Sequence, residues 1–247
     1  MSGKAKFIAL VTASLGRSAI KTPPVDASTS IFDDSYVAKG NADGAIAEAL
    51  RRSVELAAKM AISAENAGWQ VHRVANAEDA IDVIVNICQQ KKAKSILRSI
   101  HDILDQIPID TALNRSGIKV GITEYTHQEK MEGFERSKHD AFKADVGITG
   151  VDYAIAETGT VVIHPRKGVS RLVSLAPPTH IAVLKPGQVL ESLDDFFATE
   201  RNDFLNGDFA GSVNLISGPS KTGDIEGTIV TGIHGPLETH LVILETA

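Results

Sequence analysis

The chain has 247 residues, 43% hydrophobic and 23% charged, enough length and apolar content for one large domain or two small ones with a substantial core. Lys plus Arg number 25 against 31 Asp plus Glu, and −4 of the net −6 falls from Arg201 onward, where two basic residues face six acidic ones. No general positive field is available to hold a nucleic-acid backbone or an anionic membrane, so any anion site must be local.

At the start, Lys4 and Lys6 precede Phe7-Ile8-Ala9-Leu10-Val11, a pattern shared with short signal peptides. Ile8, Val11, Leu15 and Ala19 also recur at helical spacing until Pro23-Pro24, and a peripheral helix is the expectation. Residues 21–42 show no sustained period and read as a surface connection. The chain therefore divides into an N-terminal helical extension and linker over 1–42 and a main domain over 43–247. From Gly44 a helix is expected with Ile46, Leu50, Val54, Ala57, Ala58 and Ala61 on one face, ended by Gly68.

A strand over 69–74, a helix over 77–91, a short strand at 95–98, a helical turn near 101–106 and a strand at 118–122 follow. Helix and strand in turn imply parallel crossover units. Cys88 is the one cysteine and falls on the buried side of its helix. A single thiol rules out an internal disulfide, a multi-cysteine zinc site and a four-cysteine iron–sulfur cluster, and suits a reducing compartment, the cytoplasm. No apolar run reaches the ~18 residues of a membrane span.

Beyond residue 144 the texture changes to glycine-punctuated β segments at 146–149, 159–163, 181–184, 213–216 and 240–245, with one helix over 190–205. The expected fold is α/β, a three-layer sandwich around a mainly parallel sheet whose strand-end loops hold ligands.

Four segments carry candidate chemistry. In the first, Thr149-Gly150 followed by Asp152 lets backbone approach a ligand, because glycine lacks the Cβ obstacle. Glu157, between Ala156 and Thr158-Gly159, is placed as a nucleophile or general base, or as a turn residue accepting backbone hydrogen bonds. In the second, Arg171 lies in a helix-like turn before Pro177-Pro178, suited to grip a carboxylate or phosphate, with a salt bridge to Asp152 or Glu157 as the alternative. His180 reads as a packed core histidine.

The third segment, Gly218-Pro219-Ser220-Lys221-Thr222, offers hydroxyls, an ammonium and backbone N–H groups at the start of a short helix, an anion-binding arrangement without Walker spacing. Asp224 and Glu226 there could answer Lys221, hold a metal or cap the helix. In the fourth, His234 lies in a glycine turn where an imidazole can act as acid, base or ligand. Glu238 and His240 alternate onto one side, but the spacing is not that of a metal site and none is expected. Arg171, Ser220 and Lys221 are expected to converge with Glu157 and His234 on one strand-end pocket.

Thr149-Gly-Val-Asp with Ala-Glu-Thr-Gly-Thr, Arg171 with Ser-Leu-Ala-Pro-Pro-Thr-His-Ile, Ser217-Gly-Pro-Ser-Lys-Thr-Gly-Asp-Ile-Glu and Gly-Ile-His-Gly-Pro-Leu-Glu-Thr-His stand in this order. Together they resemble the LUD-domain family of the LutC/YkgG, lactate-utilisation type, over roughly Gly44 to the C-terminus. Lys221 and Gly223 stand where many members have Arg and Ala, Ala176 replaces a Leu, and Leu237 replaces an Arg beside His234. The resemblance implies a fold similar to the NagB/RpiA/CoA-transferase superfamily. It also implies a role with iron–sulfur partner proteins in oxidising L-lactate to pyruvate, the clusters belonging to those partners, and leaves open a homo-oligomer. Within that superfamily a CoA-transferase-like enzyme using Glu157, a nucleotide- or folate-binding enzyme and a non-catalytic assembly factor are the alternatives.

Overall fold

The computed structural model describes residues 35–123, 130–208, 211–223 and 229–245, together with Leu10 and Ala13. The rest of the expected N-terminal helix, and Asp224 and Glu226, lie outside the described residues. In chain order the first half holds α1 (Ser35–Arg51), α2 (Ser53–Ala67), β1 (Gln70–Val74), α3 (Ala77–Gln90), β2 (Ser95–Arg98), α4 (Asp102–Asp105), α5 (Ile109–Arg115), β3 (Lys119–Ile122) and α6 (Lys130–Lys143). The second half holds β4 (Val146–Gly150), β5 (Tyr153–Ile155), β6 (Thr160–Ile163), α7 (Leu172–Leu175), β7 (Thr179–Leu184), β8 (Val189–Leu190) and α8 (Leu193–Asn206). β9 (Asn214–Ile216), β10 (Lys221–Gly223), β11 (Ile229–Thr231) and β12 (Glu238–Leu244) complete it.

Six strands form one parallel sheet in the order β1-β12-β7-β4-β2-β3. Alternate side chains of these strands serve opposite faces. Ile148, Ile181, Val183 and Val242 pack with Ile84, Ile87 and Cys88 of α3 and with α4 and α5, while Ala182, Leu184, Leu241 and Ile243 pack with Leu56, Met60 and Ala64 of α2. That second face also carries a four-stranded sheet, β8-β5-β6-β9, and α8. A third small cluster, Leu97, Ala141, Ala144 and Val173, seats α6 and α7 over β2 and β4. Gly147 is required there, since a Cβ would lie 1.8 Å from the Val173 carbonyl oxygen.

The expected long helix is two. Residues 35–42, expected as connection, are already α1, with Ala38 and Ala42 buried against the body of the protein, so the expected boundary at 42/43 falls inside a helix. The chain then breaks at Arg52, whose guanidinium engages Glu55 and Glu191. The break rotates the buried stripe: Leu56, Ala57, Met60, Ala61 and Ala64 face the core, whereas Ile46, Leu50 and Val54 are exposed. Gly68 ends α2 as expected, in the left-handed conformation at φ 104°. Asn76 starts α3 by accepting the Asp79 N–H. Among the described residues no helix is long and apolar enough to cross a membrane.

Candidate functional site

The strand C-terminal ends gather Arg98, Ile122, Gly150 and Leu184 on one edge of the parallel sheet, the edge where α/β folds place ligands. The chain leaves β4 there through Val151 and Asp152 to start the second sheet, and returns to it after β6 at His164, Pro165 and Arg166. Gly168 secures the returning loop: its carbonyl oxygen accepts the Ile100 N–H at 2.8 Å and the Thr123 hydroxyl at 2.7 Å.

This path builds a cluster around Asp152. Its Oδ2 accepts the His164 backbone N–H at 2.7 Å and faces His164 Nδ1 at 3.1 Å, and Arg166 reaches both carboxylate oxygens, at 3.1 and 2.9 Å. His101 Nε2 stands 3.4 Å from Oδ1. The Ile103 N–H donates to His101 Nδ1, so the network assigns the His101 proton to Nε2. The other nitrogen of His164, Nε2, lies 2.8 Å from Oε1 of Glu200, a carboxylate 7% exposed on α8. Arg98 is locked separately, bidentate to Asp110 at 2.8 and 2.9 Å.

Burial alone would raise the Asp152 pKa; hydrogen bonds from His101, His164 and Arg166 more than offset it and hold the carboxyl well below its usual range. Burial likewise disfavours a charged His164, but hydrogen bonds and charge from Asp152 and Glu200 outweigh it and raise the imidazole above 6.5. Both nitrogens face carboxylates, so His164 holds a proton that its position can deliver to an oxygen. The cluster lines a cavity of about 500 Å³ with Asp102, Tyr153, Asp203 and Asp208. Its many carboxylates do not suit an anion. Among the described residues no group of three or more His, Cys, Asp or Glu has metal-binding geometry.

Pro165 and Arg166 form the wall to a second cavity of about 870 Å³, with Lys138, Lys167, Arg171, Ser137, Thr123 and the apolar Phe142, Leu172 and Leu175. Here the sign reverses. Four cationic side chains and no carboxylate line it among the described residues, which is chemistry for a carboxylate or phosphate.

Of the residues expected from sequence, Arg171 lies in this cavity. Thr149 and Gly150 end β4 nearby, but Thr149 is buried, its hydroxyl 2.8 Å from His180 Nε2. Gly150 does permit close approach, though of a side chain: a Cβ would stand 2.3 Å from the His101 ring. Glu157 is exposed at the end of β5 and accepts the Leu193 N–H at 2.7 Å, anchoring the start of α8.

The other expected residues lie at the opposite edge, where the parallel strands begin. Lys221 and Thr222 form β10 of a hairpin with β11, not a helix start. Lys221 Nζ donates to the Ala67 carbonyl at 3.1 Å. Gly218, at φ +85°, lets the turn close on the same carbonyl, 2.3 Å from where a Cβ would be. Ser220 is used by the loop itself: its N–H donates to the Pro236 carbonyl, its carbonyl accepts the Gly232 N–H, and its hydroxyl accepts the His234 N–H. His234 lines a third cavity, about 650 Å³, with Phe142, Leu172 and Leu175. Ser220, Lys221 and Glu157 are thus not among the residues that line the cavity of Arg171.

The histidines of the sheet are packed as expected for His180, where burial and then the charge of His240 push the pKa down to about 3. His240, held to about 4 mainly by burial, stacks on His72 and faces the Glu238 carboxylate at 3.1 Å, the same-side placement expected from alternation. His101, His164, Arg166 and Glu200 escaped the sequence reading. The usable signal was His164-Pro165-Arg166 directly after an apolar strand; Glu200 has none, because its burial comes from α8 packing on the second sheet.

The LUD domain model matches residues 57–244. A "Lactate utilization protein C" of Halalkalibacterium halodurans is 32% identical over 174 residues, covering 70% of this chain and 71% of that protein. One of Bacillus subtilis is 35% identical over 111 residues, 44% of this chain and 46% of that protein. A crystal structure described as a DUF162 family protein of Deinococcus radiodurans superposes with TM-score 0.52 at 18% identity, over 78% of this chain and 98% of that one, a likeness of fold.

Proposed function

The chain belongs to the LUD-domain family, and we propose that it serves lactate utilisation in the cytoplasm, acting with iron–sulfur partner proteins in the oxidation of L-lactate to pyruvate. The observation that carries the reading is the paired arrangement at the strand C-terminal edge. An anion-attracting cavity with Arg171, Lys138 and Lys167 shares its Arg166 wall with a histidine held between two carboxylates.

Conversion of lactate to pyruvate releases two electrons and two protons. This chain's share is to hold an anionic group in the basic cavity and to accept or return a proton at His164, and the electrons pass to the partners. Cys88 supports that division, because it is fully buried and its thiol is pushed up to about 12 by burial, leaving no ligand set for a cluster. A CoA-transferase-like reaction would need a free carboxylate at Glu157, where the side chain is spent on Leu193.

The test has two parts. Thermal shifts against lactate, pyruvate, nucleotides, CoA species and folates should give stabilisation by anions that Arg171→Ala abolishes. Lactate-dependent dye reduction should need the partner proteins and fall with His164→Gln. Stoichiometric iron and sulfide in the chain purified anaerobically without partners, or lactate oxidation by it alone, would overturn the division of labour.

A further inference from the structure

The basic cavity and the His234 cavity, about 870 and 650 Å³, share Phe142, Leu172 and Leu175 as a common apolar floor. Phe142 is 65% exposed and Leu175 42%, an uncovered apolar bed on adjoining elements α6 and α7. The charge sits at one end. Arg166 is committed to Asp152, whereas Lys138 and Arg171 have no side-chain partner among the described residues.

Size decides what fits. At roughly the 30 Å³ that one water claims in the liquid, the six heavy atoms of lactate fill about 180 Å³, a corner of the larger cavity. Drug-sized ligands occupy about 300–1,000 Å³, with an apolar lining and a few placed polar groups.

We propose that this double cavity binds an amphipathic anion, its carboxylate or phosphate head at Lys138 and Arg171 and its aliphatic or aromatic body along Phe142, Leu172 and Leu175 toward His234. The proposal rests on the anion site assigned under the proposed function and names the class of molecule that site takes. A body on the apolar floor adds affinity that a bare head group lacks, and cations with no side-chain partner among the described residues make the head obligatory.

Calorimetric titration of the full chain with octanoate, octyl phosphate, octanol, lactate and inorganic phosphate tests it. Octanoate or octyl phosphate should bind at least tenfold more tightly than lactate, phosphate or octanol, and the better of the two identifies the head group. Phe142→Ser and Leu175→Asn, both at exposed positions, should erase that advantage, bringing octanoate and octyl phosphate down to the level of lactate and phosphate. Lys138→Ala with Arg171→Ala should weaken every anion. Equal affinity for lactate and octanoate, or octanol binding as well as octanoate, overturns the amphipathic ligand alone. Absence of any anion binding sensitive to Arg171 overturns the anion site beneath it.

Discussion

The two edges of the same parallel sheet hold very different chemistry. At the strand starts, the Gly-Pro-Ser-Lys-Thr turn is polar and dense in motif, yet Lys221, Gly218 and Ser220 are spent on joining loops to the end of α2 and to each other. At the strand ends, a few residues from distant segments surround open space, with Asp152 and His164 on one side and Arg171 and Lys138 on the other. Residue types suited to ligand binding are the same types that satisfy tight turns. Open volume beside the polar group separates the two uses.

Substitutions can break or sharpen this contrast. The largest effect is expected at Gly218→Ala, where a Cβ would meet the Ala67 carbonyl in a left-handed backbone; chemical denaturation should show a loss of about 3 kcal/mol. Anion affinity at the far edge should not change, and a parallel loss of both would mean the edges are coupled. Next, Arg171→Ala should weaken a bound anion by about 1–3 kcal/mol in calorimetry at unchanged stability, while Lys221→Ala leaves binding intact. Equal losses from both would restore a single convergent pocket.

The pH dependence separates core from cluster. His180 and His240 have pKa values lowered to about 3 and about 4, so the unfolded chain takes up protons that the folded one refuses. Stability should therefore fall as pH drops from about 6.5 toward 4, by up to about 1.4 kcal/mol per unit per histidine, read from urea midpoints. The cluster runs the other way at its histidine. With its pKa raised, His164 contributes fully below 6.5 and loses that contribution only as pH rises through the higher folded value. Asp152, depressed, contributes fully above the usual carboxylate pKa and loses that contribution progressively as pH falls below it toward its lower folded value. An NMR titration should place His164 above 6.5, and Glu200→Gln should bring it down; no movement would remove Glu200 from the cluster. The smallest effect is expected at Glu157→Gln, about 0.5 kcal/mol of stability from the lost charge at the α8 start, with anion binding untouched.

Much of the fold was legible because period and punctuation are local. Gly68 at a helix end, Cys88 on the α3 core face and the apolar strands at 95–98 and 146–149 are each decided by a few neighbouring residues. The β10–β11 hairpin was not legible, since Gly-Pro-Ser begins a helix or a turn equally well and pairing with 229–231 settles the matter. The buried face of α1 and α2 was misplaced because a run of good helix formers gave no local sign of the break at Arg52, where the guanidinium meets Glu191 from far along the chain. The candidate site shows the same limit. Arg171 stood out beside Pro177-Pro178, but Asp152, His164 and Glu200 become neighbours only after the second sheet folds back on the first.

Cys88 has a practical consequence. Its sulfur is sealed in the α3 interface and its thiolate is disfavoured until about pH 12, and the sequence contains no other cysteine. The wild-type chain is therefore inert to maleimides and iodoacetamides under native conditions. A cysteine placed at Ser137 or Leu175 would be the one addressable handle, so a fluorophore or spin label there would report directly on what enters and leaves the groove beside α7.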